Sequence, residues 1–322
     1  MTPFSLDRPR AAAAADRYLA HNPPLFSRLP VSYRAVPLGL RTRLLAVAAR
    51  ARRHEGTWPS WPIVQSIDHG LEAPMYAGHR AAFILTHDID SAEELGLVDL
   101  ALELDRRHGI ASSYGFVPEQ SWPMERLVRD LVADGREVYW HDIRHDGRLP
   151  YVGRARIRAA FDAVRLRSPW TVELMRTFRA GQLLASRDLI SVVGEIFAVD
   201  MSIPDTERDG PFGAAAGCGT VFPFRLGPVL EVPVTMPQDV FLRQVYRWSP
   251  DAIEELWLQK LSYIARVGGV ANLNVHPIWI AHDRELRGVV DRLLEWVTAD
   301  SAFLVTTPSR LAVELGRSVA AA

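Results

Sequence analysis

Two histidines four residues apart, His141 and His145, are the first candidates for chemistry in this sequence. Residues with that spacing meet on one face of a helix, so the two imidazoles can share a ligand. An upstream segment, Thr86–Asp90, reads Thr-His-Asp-Ile-Asp and adds carboxylates after an apolar run. Two histidines and one aspartate form a three-ligand metal site that leaves coordination positions open for water and substrate, as a hydrolytic metal requires. Because Cys218 is the only cysteine, histidines and carboxylates rather than thiolates must hold any metal.

Ionisable residues also follow other segments that the sequence predicts to be strands. In a parallel α/β sheet or barrel, the carboxyl ends of the strands open on one face, and active sites are built there. Each group alone also fits a structural role, such as a charged loop around the histidine pair. Five strand ends with such groups indicate one shared site more strongly than any one of them. These groups are Asp88 and Asp90, His141 and His145, Arg179, Asp200, and His276.

The elements that must position these residues begin at about residue 80. Ala81–Thr86 and Arg136–Trp140 have the composition of short buried strands. Ser91 and Glu94 have the spacing of a capping box at the start of a helix, and Pro250–Val267 is predicted to be a long helix. This alternation continues towards the end of the chain, so we expect a mostly parallel sheet, open or closed into a barrel.

Within the first strand, alternation assigns directions to neighbouring side chains. Residues two apart in an extended segment point to the same side of the sheet. Asp88 and Asp90 are therefore both expected to face the site, while His87 and Ile89 point away from it.

The composition excludes several classes of protein. The chain has 322 residues, of which 48% are hydrophobic, enough for one large α/β domain or for one domain with an extension. Its net charge of −1 gives no indication of the basic surface that a nucleic-acid-binding protein needs. No apolar run approaches the roughly 20 residues that cross a bilayer, and no signal peptide is recognisable. We therefore expect a soluble cytoplasmic protein, and the sequence does not favour any oligomeric state.

The first part of the chain differs in character from the rest. Residues 1–78 are rich in proline and arginine and show no alternation of strands and helices, so we expect a helical extension ahead of a barrel domain at 79–322. Within it, residues 36–53 are interpreted as a surface helix packed on the main domain rather than as a membrane-binding one. The segment Trp58–Pro62 is interpreted as a packed loop.

The order of the candidate residues resembles the motif series of the polysaccharide deacetylase family, carbohydrate esterase family 4, with its NodB homology domain. The resemblance covers roughly residues 80–310. The matching segments are Thr86–Asp90 for the motif T-F-D-D-G, His141–His145 for H-S/T-x-x-H, Arg176–Gly181 for R-x-x-R-x-P, Asp200–Ser202 for D-x-S, and Leu273–Pro277 for L-x-x-H-P.

That resemblance implies a distorted (β/α)7 barrel and a metal-dependent amide hydrolase. The metal implied is most often Zn²⁺, with Co²⁺, Ni²⁺ or Mn²⁺ as alternatives. By this analogy the metal ligands are Asp90, His141 and His145, and the catalytic residues are Asp88 as general base, Arg179 as its orienter, His276 as general acid and Asp200 as the residue that holds His276.

Several positions depart from the family pattern. The first motif has D-x-D in place of adjacent aspartates, Asp142 stands where serine or threonine is usual, Gly181 replaces a proline, and Gln182 follows where an aromatic residue is frequent. The last three changes alter the substrate wall and the oxyanion donor. A standard chitin-like chain is therefore not the expected substrate, and a helical extension over one end of the barrel would suit a smaller ligand.

Three functions remain open at this point. The first is removal of an N-acetyl group from a sugar or sugar-containing small molecule, with a small or oligosaccharide N-acyl compound as substrate. The second is hydrolysis of another amide, as in deformylases or allantoinases. The third is a non-catalytic carbohydrate-binding protein, against which Asp88, Arg179 and His276 argue, because binding alone needs no base, orienter or acid.

Overall fold

In a computed structural model of the protein, the described residues are 5–20, 23–28, 76–119, 124–205 and 217–321, with a few isolated positions between 36 and 68. Most of the extension expected at residues 1–78, including nearly all of residues 36–53 and the Trp58–Pro62 segment, lies outside these residues. The described part of the extension contains a helix and a short 3-10 turn at Leu25–Arg28. The division between residues 78 and 79 stays a prediction.

A single sheet of nine strands forms the centre of the described chain. The strands are β1 (Ala81–Ile89), β2 (Ser113–Phe116), β3 (Glu137–His141), β4 (Thr177–Arg179), β5 (Val199–Asp200), β6 (Phe224–Leu226), β7 (Val229–Glu231), β8 (Val270–Asn274) and β9 (Phe303–Val305). Their spatial order is β6-β7-β5-β4-β3-β2-β1-β8, and β9 pairs with the first residues of β1. Every pairing is parallel except that of β6 with β7.

The segment after β7 joins the two sides of the sheet. The hydroxyl of Thr235 donates to the Val270 carbonyl at 2.8 Å and accepts from the Asn272 amide at 2.9 Å. The Met236 amide donates to the Asn272 carbonyl at 3.2 Å. Because these bonds connect β8 with the chain that continues from β7, the sheet has the shape of a distorted barrel. The predicted (β/α)7-type fold is confirmed.

Helices cover the outside of the sheet and bury their apolar faces against it. They are α1 (Pro9–Leu19), α2 (Ala92–Leu95), α3 (Val98–Arg107), α4 (Glu125–Ala133), α5 (Arg154–Arg167), α6 (Trp170–Leu174), α7 (Arg187–Ile196), α8 (Pro250–Val267), α9 (Pro277–His282), α10 (Arg284–Ala299) and α11 (Pro308–Ala321). Among the described residues, no helix combines the length and the apolar character needed to span a membrane.

The local chemistry of α8 explains its predicted bounds. Ser249 caps its amino end by accepting a hydrogen bond from the Ala252 amide at 3.3 Å, and Pro250 occupies the first helical position. Gly268 ends the helix in the left-handed conformation at φ +91°, which glycine adopts without a steric penalty. Sequence and structure agree on this helix because both of its ends are specified locally.

The first strand is longer than the apolar run predicted. It extends through Ile89 because its last four residues pair with Ser113–Phe116 of β2, and all nine of its residues are buried. Asp88 therefore lies inside the strand, and Asp90 is the first residue after it. This places the two carboxylates at the carboxyl end of the barrel.

Candidate active site

The three predicted metal ligands come together at the carboxyl ends of β1 and β3. His141 is the last residue of β3, and its Nε2 lies 3.1 Å from Asp90 Oδ1. The Nε2 of His145 lies 3.5 Å from Asp90 Oδ2. One ligand atom from each residue falls within 4.8 Å of the others. Both imidazoles are buried while the Asp90 side chain is 26% exposed, so the cluster opens towards solvent on the carboxylate side.

A loop, and not a helical turn, places the two histidines side by side. Asp142 and His145 have left-handed backbone angles, with φ of +60° and +53°. The two imidazole centroids are 4.8 Å apart. The prediction that the two histidines share one helical face is therefore wrong, although their imidazoles do meet. Backbone in this region is costly for a residue with a side chain and tends to occur at functional sites.

Gly181, from the loop after β4, packs directly against this histidine loop. A Cβ atom at position 181 would lie 2.7 Å from Asp142 Oδ2 and 2.7 Å from His145 Cδ2. Only glycine permits the approach, which explains why the proline of the family pattern is absent here. Burial raises the pKa of Asp142 to about 6.

The carboxylate of Asp88 is enclosed by donors. Its Oδ1 accepts from Arg179 Nη1 at 3.2 Å and from the Tyr139 hydroxyl, and its Oδ2 accepts from Asn274 Nδ2 at 2.8 Å. The Nε2 of His141 is 3.6 Å from the same Oδ2. Burial opposes ionisation of Asp88, but the charges of His141 and Arg179 outweigh it and hold its pKa below the ordinary value. Asp88 is therefore a fixed, ionised carboxylate beside the candidate metal ligands.

Arg179 is completely buried and is held by acceptors from several strands. Its Nη1 donates to the Thr86 hydroxyl at 2.8 Å and to the Tyr139 hydroxyl at 2.9 Å. Its Nη2 donates to Asn272 Oδ1 at 3.3 Å, and its Nε to the Met201 carbonyl at 3.4 Å. These bonds fix the planar guanidinium in one orientation and, with it, the carboxylate it contacts.

The structure gives His276 a different partner from the one expected. The Nδ1 of His276 is 2.8 Å from Asp239 Oδ1, and its backbone amide donates to Asp239 Oδ2 at 2.7 Å. Burial alone would lower the pKa of His276, but the charge and hydrogen bond of Asp239 raise it well above the ordinary value. The Nε2 of His276 points to the cluster of candidate metal ligands, 3.9 Å from Asp90 Oδ2. The expectation that Asp200 holds His276 is therefore wrong.

The barrel's topology explains this correction. Asp200 ends β5, which lies between β4 and β7, whereas His276 follows β8. Asp239 comes three residues after Met236, the point where the chain joins β8. Asp239 could have been recognised as a further ionisable group after a strand-like run at Val229–Thr235.

Asp200 instead pairs with Glu231, its direct neighbour on β7. The hydroxyl of Ser202 donates to Asp200 Oδ1 at 2.6 Å, and the Ile203 amide donates to Glu231 Oε1 at 3.0 Å. Asp200 Oδ2 and Glu231 Oε2 are also buried, and the described residues provide no hydrogen-bond donor to either oxygen. Burial raises the pKa of Asp200, and burial together with the charge of Asp200 raises that of Glu231 well above its ordinary value. A proton shared between the two carboxyls would satisfy both oxygens.

Glu94 supports the backbone of Asp90. Its Oε2 accepts from the Asp90 amide at 2.9 Å and from the Ser91 hydroxyl at 3.1 Å, while Ser91 Oγ accepts from the Glu94 amide at 3.2 Å. The capping interaction predicted for these residues is confirmed. Burial, followed by the charge of Asp90, raises the pKa of Glu94 to about 7.

His87 points away from the site, as the alternation along β1 predicted. Its ring nitrogens face two acceptors, the Val275 carbonyl at 2.7 Å and Asp105 Oδ1 at 3.2 Å. Burial alone would lower the pKa of His87, but the charge of Asp105 and these hydrogen bonds raise it. His87 and Asp105 form a buried ion pair behind the strand.

Three further polar residues of the barrel interior are not among those predicted from the sequence. Tyr139 and Asn274 each stand two positions before a predicted site histidine, and Asn272 stands two positions before Asn274. Period-two alternation along a strand puts such residues on the same face. The signal was therefore present in the sequence.

Comparison with known proteins supports the fold. No family model and no curated protein matches the chain by sequence. Among solved structures, a protein from Mycobacterium smegmatis assigned to the polysaccharide deacetylases superposes with a TM-score of 0.61 at 15% identity, covering 77% of this chain and 94% of that one. The PuuE allantoinase and a protein from Pseudomonas aeruginosa PAO1, also assigned to the polysaccharide deacetylases, each give 0.60 at 15% identity, covering 81% of this chain and 98% of theirs. The chain therefore has the fold of NodB-like polysaccharide deacetylases, in agreement with the motif series in its sequence.

Proposed function

We propose that the protein is a metal-dependent hydrolase that removes an acyl group from the nitrogen of a sugar or of a sugar-containing small molecule. The observation that carries this proposal is the convergence of three groups at one end of the barrel. They are the Asp90, His141 and His145 cluster, the Asp88–Arg179 pair, and the His276–Asp239 pair.

The donor set fits a divalent cation. Two imidazoles and one carboxylate offer ligand atoms within 4.8 Å of one another, and the exposed side of Asp90 leaves room for further ligands. Zn²⁺ suits this set best, with Co²⁺, Ni²⁺ and Mn²⁺ as alternatives. A cation bound there would supply Lewis acidity towards an acyl carbonyl and an attacking water.

Asp88 is the proposed general base. Arg179, Tyr139 and Asn274 hold its carboxylate ionised and in one orientation. Its Oδ2 is 3.6 Å from His141 Nε2, so this oxygen adjoins the candidate metal position. An attacking water at that position can give its proton to Asp88.

His276 is the proposed general acid. Asp239 binds its Nδ1 and keeps the imidazolium charged, and its Nε2 faces the cluster on the side of Asp90. A departing amide nitrogen needs a proton, because an amine anion is a poor leaving group. The Nε2–H of His276 is placed to donate it.

The test is an assay of metal-stripped protein supplemented with Zn²⁺ or Co²⁺. Acetate or formate release is measured over a panel of N-acyl sugars. We expect turnover only with metal, and none with H141A, whereas H282A, which removes an exposed histidine 6 residues beyond His276, serves as the matched control. D88N should bind metal without turnover, and H276A should slow amides far more than activated esters. A wild-type protein that binds no divalent cation at micromolar concentration would show this proposal to be wrong.

Hydrolysis of a different amide is the second candidate. Both polar atoms of the Gln182 side chain are buried without a partner among the described residues, and this residue follows Gly181, which abuts His145. A further amide or ureido group of a substrate that reached this side chain would satisfy both atoms. One of the similar structures is an allantoinase, so N-formyl and ureido compounds belong in the same panel. Turnover confined to these compounds would favour this candidate over the first.

A further inference from the structure

The amino-terminal segment contacts the barrel at two separate places. The Leu6 carbonyl accepts a hydrogen bond from the Arg225 amide of β6 at 3.0 Å. Helix α1 buries Tyr18, whose hydroxyl donates to the Leu183 carbonyl at 2.6 Å. The segment therefore reaches from the antiparallel edge of the sheet to the loop after β4.

That loop has an unusual backbone. Gln182 and Leu183 are consecutive residues in the left-handed region, with φ of +57° and +56°. Each such residue costs about 1–3 kcal/mol and persists only where its surroundings enforce it. Inside the loop, the Leu183 amide donates to the Ala180 carbonyl and the Leu184 amide to the Gly181 carbonyl, both at 3.1 Å. The Tyr18 hydroxyl holds the same turn from outside.

The loop also determines the space available to a metal ligand. Gly181 approaches so closely that an added Cβ would lie 2.7 Å from His145 Cδ2. A shift of the turn at Gln182 and Leu183 moves Gly181 against or away from that ring. A continuous set of contacts therefore runs from Tyr18, through the turn, to His145.

We propose that Tyr18 is a positioning residue for His145, acting through the Ala180–Leu184 loop. The hydroxyl of Tyr18 keeps the left-handed turn in place, and the turn keeps Gly181 against the imidazole of His145. The Nε2 of His145 therefore stays directed at Asp90. Helix α1 then helps to fix the geometry of the metal site and is not a separate extension. This inference rests on the proposed metal site.

The test compares Y18F with Y263F. Tyr263 is also a buried tyrosine, and its hydroxyl donates to Asp68 Oδ2 at 3.0 Å. Each variant loses one buried hydroxyl and keeps the ring. Three quantities are measured: Zn²⁺ affinity by competition with a chelating indicator, amide hydrogen exchange of residues 180–184, and the melting temperature.

We expect both variants to melt at lower temperature but only Y18F to weaken Zn²⁺ binding, by about tenfold, as loss of an outer-sphere support does. Exchange at residues 180–184 should rise in Y18F alone. Wild-type Zn²⁺ affinity and wild-type exchange in Y18F would overturn the inference. Failure of the proposed function looks different, because the wild-type protein itself then binds no Zn²⁺, while the exchange measurement still decides whether Tyr18 positions the loop.

Discussion

Replacing Glu231 with glutamine tests the shared proton inside the barrel. The amide keeps the shape of the side chain and an oxygen that accepts from the Ile203 amide. It also offers an N–H to the buried Oδ2 of Asp200, for which the described residues provide no donor. E231Q therefore replaces a proton that titrates with one that does not.

The sign of the effect follows from the raised pKa values of the pair. Above the ordinary carboxyl range near pH 4, the folded pair retains one proton that the unfolded chain has released. Because the folded state binds more protons, stability falls as pH rises, by about 1.4 kcal/mol for each pH unit. The stabilisation by the shared proton is complete below the pKa of the carboxyl in the unfolded chain. It is lost as pH rises through the pKa of the pair in the folded protein. As pH rises from the unfolded towards the folded pKa of the pair, we therefore expect E231Q to gain stability relative to wild type.

The assay is urea-induced unfolding at pH 5, 6, 7 and 8. D200N should behave like E231Q, since its amide can donate to Glu231 while its oxygen still accepts from Ser202. E255Q, at an exposed position on α8, is the matched control and should follow the wild-type curve. Parallel stability curves for wild type and E231Q would refute the shared proton.

Three further substitutions follow from the site geometry. D239N removes the charge that raises the pKa of His276, so the alkaline limb of the pH–rate profile should move to lower pH. Activity towards amides at pH 8 should fall by about two orders of magnitude, the lower end of the contribution of a general acid. Y139F removes one donor to Asp88 and weakens support for its ionised form, so the acid limb should move to higher pH; an unchanged limb would mean that Arg179 and Asn274 suffice to keep the carboxylate ionised. G181A places a methyl group against the imidazole of His145, so Zn²⁺ affinity should fall by about tenfold or more. Wild-type affinity would show that the histidine loop shifts to accommodate the methyl group.

Much of the barrel was predictable because the sequence patterns that specify its strands and helices are local. Apolar runs that alternate with capped helices specify a parallel sheet, and ionisable residues after those runs must then share one end. This reasoning placed Asp88, Asp90 and His276 correctly relative to the histidine pair. The capping box at Ser91 is a further example, since the four residues Ser91–Glu94 contain all of its information.

The partner of His276 was not predictable in the same way. Two aspartates, Asp200 and Asp239, each follow a strand-like segment, and nothing in periodicity says which of them faces His276. The answer depends on how the barrel closes, through the hydroxyl of Thr235 and the amide of Met236. Such a closure involves residues far apart in sequence, and the local pattern contains no sign of it.

The loop after β4 shows why a strained backbone can persist beside the candidate metal ligands. On its inner side, the Ala180 amide donates to the Ser202 hydroxyl at 2.8 Å, and that hydroxyl donates in turn to Asp200. On its outer side, the Leu183 carbonyl accepts from Tyr18. The left-handed turn lies between these two supports, one built on the proton-sharing carboxyls and one on the amino-terminal helix. If both supports act on the same turn, Y18F and E231Q should both alter its amide exchange, Y18F by releasing the carbonyl and E231Q by changing the acceptor beneath the Ser202 hydroxyl. The Y18F E231Q double variant would then exchange differently from the product of the two single effects, because coupling between residues in one network is not additive.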